Sequence, residues 1–216
     1  MSNADRSTVI HDMLAAVTAP VRLLFFEQSI GCDSCLPTRQ LLEQLAELSP
    51  NIGVEVLNLI LDKDRAAQHG VDRAPAVVVS SPGRDRVRFY GAPVGHELLS
   101  LLEAIRMTAS GNSGLSAESR VQLAGLAAPI RLQVFFTPTC VYCPQMVTLA
   151  NRLAVESPHV SATAIDATLY PDLVRRYSVN GVPKTVINDA LEIIGAASEA
   201  EVVKTVVSVA GLGAQD

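Results

Sequence analysis

The sequence predicts an α/β protein built from two tandem units, and three observations carry that expectation. The 216 residues suffice for two domains of about 100 residues each. An order of strand, helix, strand, helix, strand, strand, helix can be read twice along the chain. All four cysteines, Cys32, Cys35, Cys140 and Cys143, fall in Cys-x-x-Cys pairs. The first cysteine of each pair stands 43 positions before a proline that leads into an apolar run, Pro75 and Pro183 respectively.

The elements follow in order. A helical segment at 5–17 precedes the first strand, VRLLFFE (21–27). A helix then runs from Cys32 to about Leu48, with Leu41, Leu42, Leu45 and Leu48 at helical spacing. VEVLNLIL (54–61) reads as a strand, Asp62 to Gln68 as a short helix, and Ala74-Pro75 leads into the strand AVVVS. RVRFYG (86–91) alternates as a last strand, and a helix covers His96 to about Met107. The second unit repeats this with IRLQVFF (130–136), a helix opened by Cys140, VSATAID (160–166), PDLVRRY (171–177), Val182-Pro183 before KTVIN, LEIIG, and a closing helix. Ser198 and Glu201 form a capping box at that helix's start. A further helical segment lies at 116–126. GNSG (111–114) is the Gly/Ser/Asn-rich break, which sets the expected units at 1–112 and 113–216. A break this short predicts units packed together.

Composition narrows the chemistry. A net charge of −5 with a pI near 5.4 supplies no basic stripe, so neither nucleic acid nor a membrane surface is an expected partner. No apolar run approaches the roughly 18 residues of a membrane helix, and MSNADRSTVIHDML lacks the pattern of a secretory signal. The expected compartment is the cytoplasm, where paired cysteines serve redox chemistry or bind metal. Two Cys-x-x-Cys pairs match a Cys₄ zinc site by count, which leaves a zinc-binding interaction module as one reading. Zinc ribbons hold their pairs about 15–20 residues apart, whereas 105 positions separate Cys35 from Cys140. The histidines are dispersed, and no phosphate loop is present, so neither metal nor cofactor ligands are expected.

The helix spacing gives the cysteines a chemical logic. Each first cysteine lies at or just before a helix's first turn, where unpaired amides and the positive dipole end favour a thiolate. The second cysteine, one turn on, is within disulfide reach. Cys140 is thus the expected nucleophile and Cys143 the resolving thiol, with Cys32 and Cys35 as their counterparts.

CVYCP (140–144) resembles a glutaredoxin active site, and GVPKTVI (181–187) resembles the proline loop of thioredoxin-fold proteins. FYGAPVGHELLSLLEAI (89–105), followed by a second CxxC unit, is similar to the two-unit protein disulfide oxidoreductases. The same layout resembles the N-terminal domain of the flavoprotein that reduces alkyl hydroperoxide peroxiredoxins. The resemblance implies two thioredoxin-like units, each a mixed sheet flanked by helices, joined into one continuous sheet. It implies that Pro75 and Pro183 are cis and that the backbone of Ala74 and Val182 pairs with substrate. Cys32 and Cys35, which the flavoprotein domain lacks, and the absence of a flavin-binding extension point toward the free-standing oxidoreductase. The buried acid found about six residues before the first cysteine in thioredoxin has no counterpart in the second unit, where Val134 stands. In the first unit Glu27 lies near that place.

The expected function is therefore a thiol–disulfide oxidoreductase that reduces, forms or isomerises protein disulfides. The alternative is a relay that passes electrons from a thioredoxin-reductase-like, flavin-dependent donor to a peroxiredoxin. Asp33 beside Cys32 opposes thiolate formation, whereas Val141 and Tyr142 add no charge, so Cys140/Cys143 is expected to be the more active pair.

Overall fold

The computed structural model describes residues 3–212. In the first half, β1 (Val21–Glu27) lies parallel to β2 (Ile52–Asn58) and antiparallel to β3 (Ala76–Ser81). The far edge of β3 carries antiparallel β4 (Arg84–Tyr90). The second half repeats the arrangement: β5 (Ile130–Phe136) is parallel to β6 (Val160–Asp166) and antiparallel to β7 (Lys184–Ile187), which carries β8 (Leu191–Ile194). Parallel pairing of β4 with β6, from Val87 opposite Ala162 to Tyr90 opposite Ile165, joins the halves. The result is one mixed sheet of eight strands in the order β2-β1-β3-β4-β6-β5-β7-β8.

Each parallel pair requires a helical crossover. These are α2 (Cys35–Glu47), between β1 and β2, and α6 (Cys143–Glu156), between β5 and β6. The remaining helices are α1 (Asn3–Ala15), α3 (Lys63–Gln68), α4 (Glu97–Ser110), α5 (Ala117–Ala124), α7 (Pro171–Arg176) and α8 (Glu199–Leu212). Strand alternation sends successive side chains to opposite faces. Leu23, Phe25, Leu132 and Val134 thus meet α2, α4, α6 and α8 in the larger core, while Phe26, Phe135 and Ile165 meet Ala66 of α3 and Leu173 of α7 in the smaller.

Helix ends follow local chemistry. Gly111 closes α4 in the left-handed conformation, its N–H bonded to Met107 O at 2.8 Å. The predicted capping box forms: Ser198 N–H donates to Glu201 at 2.8 Å, and Glu201 N–H donates to Ser198 Oγ at 3.3 Å. Two expectations need correction. The strand read at 54–61 instead covers Ile52–Asn58, because Asn58 Oδ1 accepts the amides of Ile60 and Leu61 and turns the chain there. The helices read from Cys32 and Cys140 begin at Cys35 and Cys143.

The pairing also sets direction. β1, β4, β6 and β5 all run the same way, so both cysteine loops, which follow β1 and β5, emerge on one rim of the sheet. Four strand spacings separate β1 from β5, which is roughly 20 Å at about 4.8 Å per strand.

Candidate active site

The structure pairs each cysteine with its motif partner: Cys32 with Cys35 and Cys140 with Cys143, with Cα atoms 5.3 and 5.5 Å apart. In each pair the first cysteine is partly exposed, and the second, the opening residue of its helix, is buried at 5% and 0% exposure. A buried sulfur behind an accessible one is what stepwise exchange requires: one atom meets a substrate while the other is reached only from within.

The two pairs differ in hydrogen bonding. The N–H of Cys143 donates to Cys140 Sγ at 3.1 Å, aiming an amide of the helix's first turn at that sulfur. In the first pair the matching amide, that of Cys35, goes to the carbonyl oxygen of Cys32, also at 3.1 Å. An amide directed at a sulfur favours its anion over its neutral form. Cys140 holds that advantage, and Asp33 adds a carboxylate next to Cys32.

The Ala74–Pro75 and Val182–Pro183 peptide bonds are both cis. Pairing of Ala76 with Phe26 and of Lys184 with Phe135 sets each proline at the rim from which its own half's cysteine loop emerges. Ala74 and Val182 are partly exposed there, while both prolines are buried. A repeated device ties each turn down. Gly91 N–H donates to Pro75 O at 2.9 Å, and Gly195 N–H donates to Pro183 O at 2.8 Å. Both glycines have positive φ, +103° and +81°, a backbone conformation that other residues resist.

Contacts between the halves converge on these loops. Tyr170, just before α7, donates its hydroxyl to Pro75 O at 2.9 Å, and Arg73 pairs with Asp172 at 3.1 Å. From the other direction, His96 N–H donates to Pro138 O at 3.3 Å, and a side chain at Gly95 would collide with that carbonyl. The His96 ring itself is exposed and makes no cap bond.

One residue went unnoticed in the sequence. Glu97, the first residue of α4, has 0% exposure, and neither carboxylate oxygen has a hydrogen-bond partner. Burial pushes its carboxyl up to about 7; the Ser100 hydroxyl one turn on opposes the shift without reaching hydrogen-bond geometry. Glu97 adjoins the backbone that grips the Cys140 loop. A charged residue heading the apolar stretch ELLSLLEAI was the available signal. Glu27, by contrast, is no buried base. It retains 28% side-chain exposure and faces Arg39 at 3.8 Å.

Exposed apolar side chains surround both pairs. Ile30, Leu36, Ile60 and Leu61 flank the first, with Leu61 at 83% exposure. Val141 and Tyr142 form the second motif itself, with Tyr142 at 67%. These are surfaces on which a protein chain can bury apolar area. Among the described residues, no group of three or more His, Cys, Asp or Glu is arranged to hold a metal ion. Nor is any helix among them long and apolar enough to cross a membrane.

Comparison with known proteins agrees with this geometry. Residues 130–208 match the thioredoxin domain family. The chain is 28% identical to a protein disulfide oxidoreductase from Aeropyrum pernix, whose structure superposes with a TM-score of 0.88 over 97% of this chain and 94% of that one. A structure of the alkylhydroperoxide reductase AhpF from Enterococcus faecalis gives a TM-score of 0.86 at 26% identity, over 95% and 99% of the respective chains. The corresponding alkyl hydroperoxide reductase flavoprotein component of Xanthomonas campestris is 29% identical over 194 residues, which is 88% of this chain and 34% of that protein. The chain spans about a third of the length of the curated relatives it matches.

Proposed function

We propose that this chain, a tandem thioredoxin-like protein of the thiol–disulfide oxidoreductase kind, transfers electron pairs to protein disulfides separately at Cys32/Cys35 and Cys140/Cys143. The observation that carries the reading is the doubled arrangement of an accessible sulfur, a buried sulfur at a helix start, and a proline turn on the same rim. In the reduced protein, the Cys140 thiolate attacks one sulfur of a substrate disulfide. A new S–S bond forms and the other substrate sulfur leaves as a thiolate. Cys143, once deprotonated, attacks Cys140 Sγ, closes the internal disulfide and releases the second substrate thiolate. The substrate gains two electrons and the protein loses two.

Glu97 takes the Cys143 proton in this scheme, because a carboxyl with a pKa near 7 exchanges protons at neutral pH. Ala74 and Val182 offer backbone to an extended substrate segment beside each pair. The units divide at 112/113, between α4 and α5. The Cys32/Cys35 pair works more slowly, for want of the amide aimed at its first sulfur.

The likeness to AhpF favours one physiological setting: a cytoplasmic relay, reduced by a flavin-dependent, thioredoxin-reductase-like donor and discharging to a peroxiredoxin. Reduction of insulin by dithiothreitol tests the activity. Turnover is expected to vanish in Cys140→Ser and to weaken in Cys32→Ser; undiminished turnover in the double variant overturns the reading. Adding a thioredoxin reductase and a peroxiredoxin in place of insulin tests the relay, which predicts faster turnover with that pair than with general substrates.

A further inference from the structure

On the face of the sheet covered by α3 and α7, the core stops halfway down the central strands. Near the rim, Tyr90, Ile165 and Phe135 are apolar and buried. Below them the side chains on this face turn polar: Arg88, Thr163 and Gln133 lie directly opposite one another across β4, β6 and β5, with Arg131 opposite Ser161 two positions further down. Central strands of a sheet covered on both faces ordinarily carry apolar side chains on each. Here neither short helix extends over the lower half, and a cleft of about 360 Å³ remains, within the size range of small-molecule sites.

Four guanidinium groups line this cleft, Arg73 and Arg88 from the first half and Arg131 and Arg176 from the second, against the carboxylates of Asp72 and Asp189. Arg73 is held by Asp72 and Asp172, and Asp189 is shared by Arg131 and Arg176. Arg88 has no carboxylate within ion-pair distance among the described residues. Its Nε donates to the His69 carbonyl, and its guanidinium lies over Gly70, where a β-carbon would come within 3.2 Å of Nη2. Burial holds the pKa of Arg88 below the ordinary guanidinium value, so the charge is unfavourable where it stands unless an anion joins it. Gln133 Oε1, on the floor, is buried without a hydrogen-bond partner and calls for a donor.

We infer that this cleft, at the seam between the two halves, binds a small phosphorylated polyol, its phosphoryl group held by Arg88 with help from Arg131 and Arg176, and a hydroxyl donating to Gln133. Guanidinium forks match phosphate oxygens geometrically, and a ligand with both functions satisfies the two unmet groups at once. The inference goes beyond the cysteine chemistry and does not rest on it.

Calorimetric titration of the full chain with ribose 5-phosphate tests it, with ribose and inorganic phosphate as controls. Saturable one-to-one binding is expected, tighter than for either control and weakening as salt is raised. Arg88→Gln and Arg176→Glu should each weaken it about tenfold or more. Arg176 is an exposed residue whose replacement leaves the core intact, so it decides the matter if Arg88→Gln does not fold. Absence of saturable binding in the millimolar range, or equal affinity in Arg176→Glu, overturns the inference.

Discussion

The hydroxyl of Tyr170 reaches from the second half of the chain to the carbonyl oxygen of Pro75 in the first, a 2.9 Å hydrogen bond between residues 95 positions apart. Burial raises the phenol pKa, which keeps the donor protonated. Pro75 O also takes the Gly91 amide, so the proline turn beside Cys32/Cys35 is held from both halves.

Tyr170→Phe removes that tie and leaves the ring in place. A loss of about 1 kcal/mol in stability is expected, measured by chemical denaturation. With the other pair replaced by serine in each case, exchange at Cys32/Cys35 should slow several-fold while exchange at Cys140/Cys143 is unchanged. Equal slowing at both pairs contradicts a tie specific to the first site.

Glu97 should make stability depend on pH. Its folded-state pKa of about 7 lies above the ordinary 4.5, so the native state holds the proton more tightly than the unfolded chain. The associated stability is fully present below pH 4.5 and is lost as pH rises toward and through 7. Glu97→Gln cannot ionise. It should therefore be more stable than the parent at pH 8, by up to about 3 kcal/mol, and lack this part of the pH dependence. Parallel unfolding curves of the two proteins from pH 5 to pH 8 are the check, and identical pH dependence contradicts the assignment.

The amide aimed at Cys140 Sγ and the carboxylate beside Cys32 act in the same sense on the difference between the pairs. Thiolate absorbance, titrated in variants retaining one pair, should give Cys140 a pKa lower than that of Cys32 by about one unit. Asp33→Asn should narrow the gap by lowering the Cys32 value. A lower pKa at Cys32 in the parent sequence contradicts the asymmetry.

Much of this was legible in the residues. The apolar runs 21–27, 130–136 and 160–166 became strands with those bounds because their alternation and β-branched content met no competing signal. The run VEVLNLIL misled, because Leu59, Ile60 and Leu61 are as apolar as a strand. Asn58 turns the chain, and Ile60 and Leu61 are left exposed beside the first cysteine pair. The doubled phenylalanines were a false landmark. Phe26 and Phe135 occupy equivalent places, each opposite the residue after its proline, so the first cysteine loop is longer by one residue instead of two.

Glu97, Tyr170 and the arginine cleft were not legible, for a common reason. Their surroundings come from the β4–β6 pairing, which brings together residues far apart in sequence and leaves no periodic trace in it. Local patterns report which face of a strand is buried. They do not report which polar groups meet across the seam.

The central claim, that each half works through an accessible first sulfur and a buried second one, is tested most directly by trapping. Cys143→Ser and Cys35→Ser each remove a resolving thiol, so the mixed disulfide cannot be closed internally. After incubation of each reduced variant with a disulfide-bonded peptide, mass spectrometry of the unreduced digest should find the peptide attached through Cys140 in the first variant and Cys32 in the second. Finding it instead on Cys35 or Cys143 in variants that retain them, or finding no adduct at all, contradicts the account.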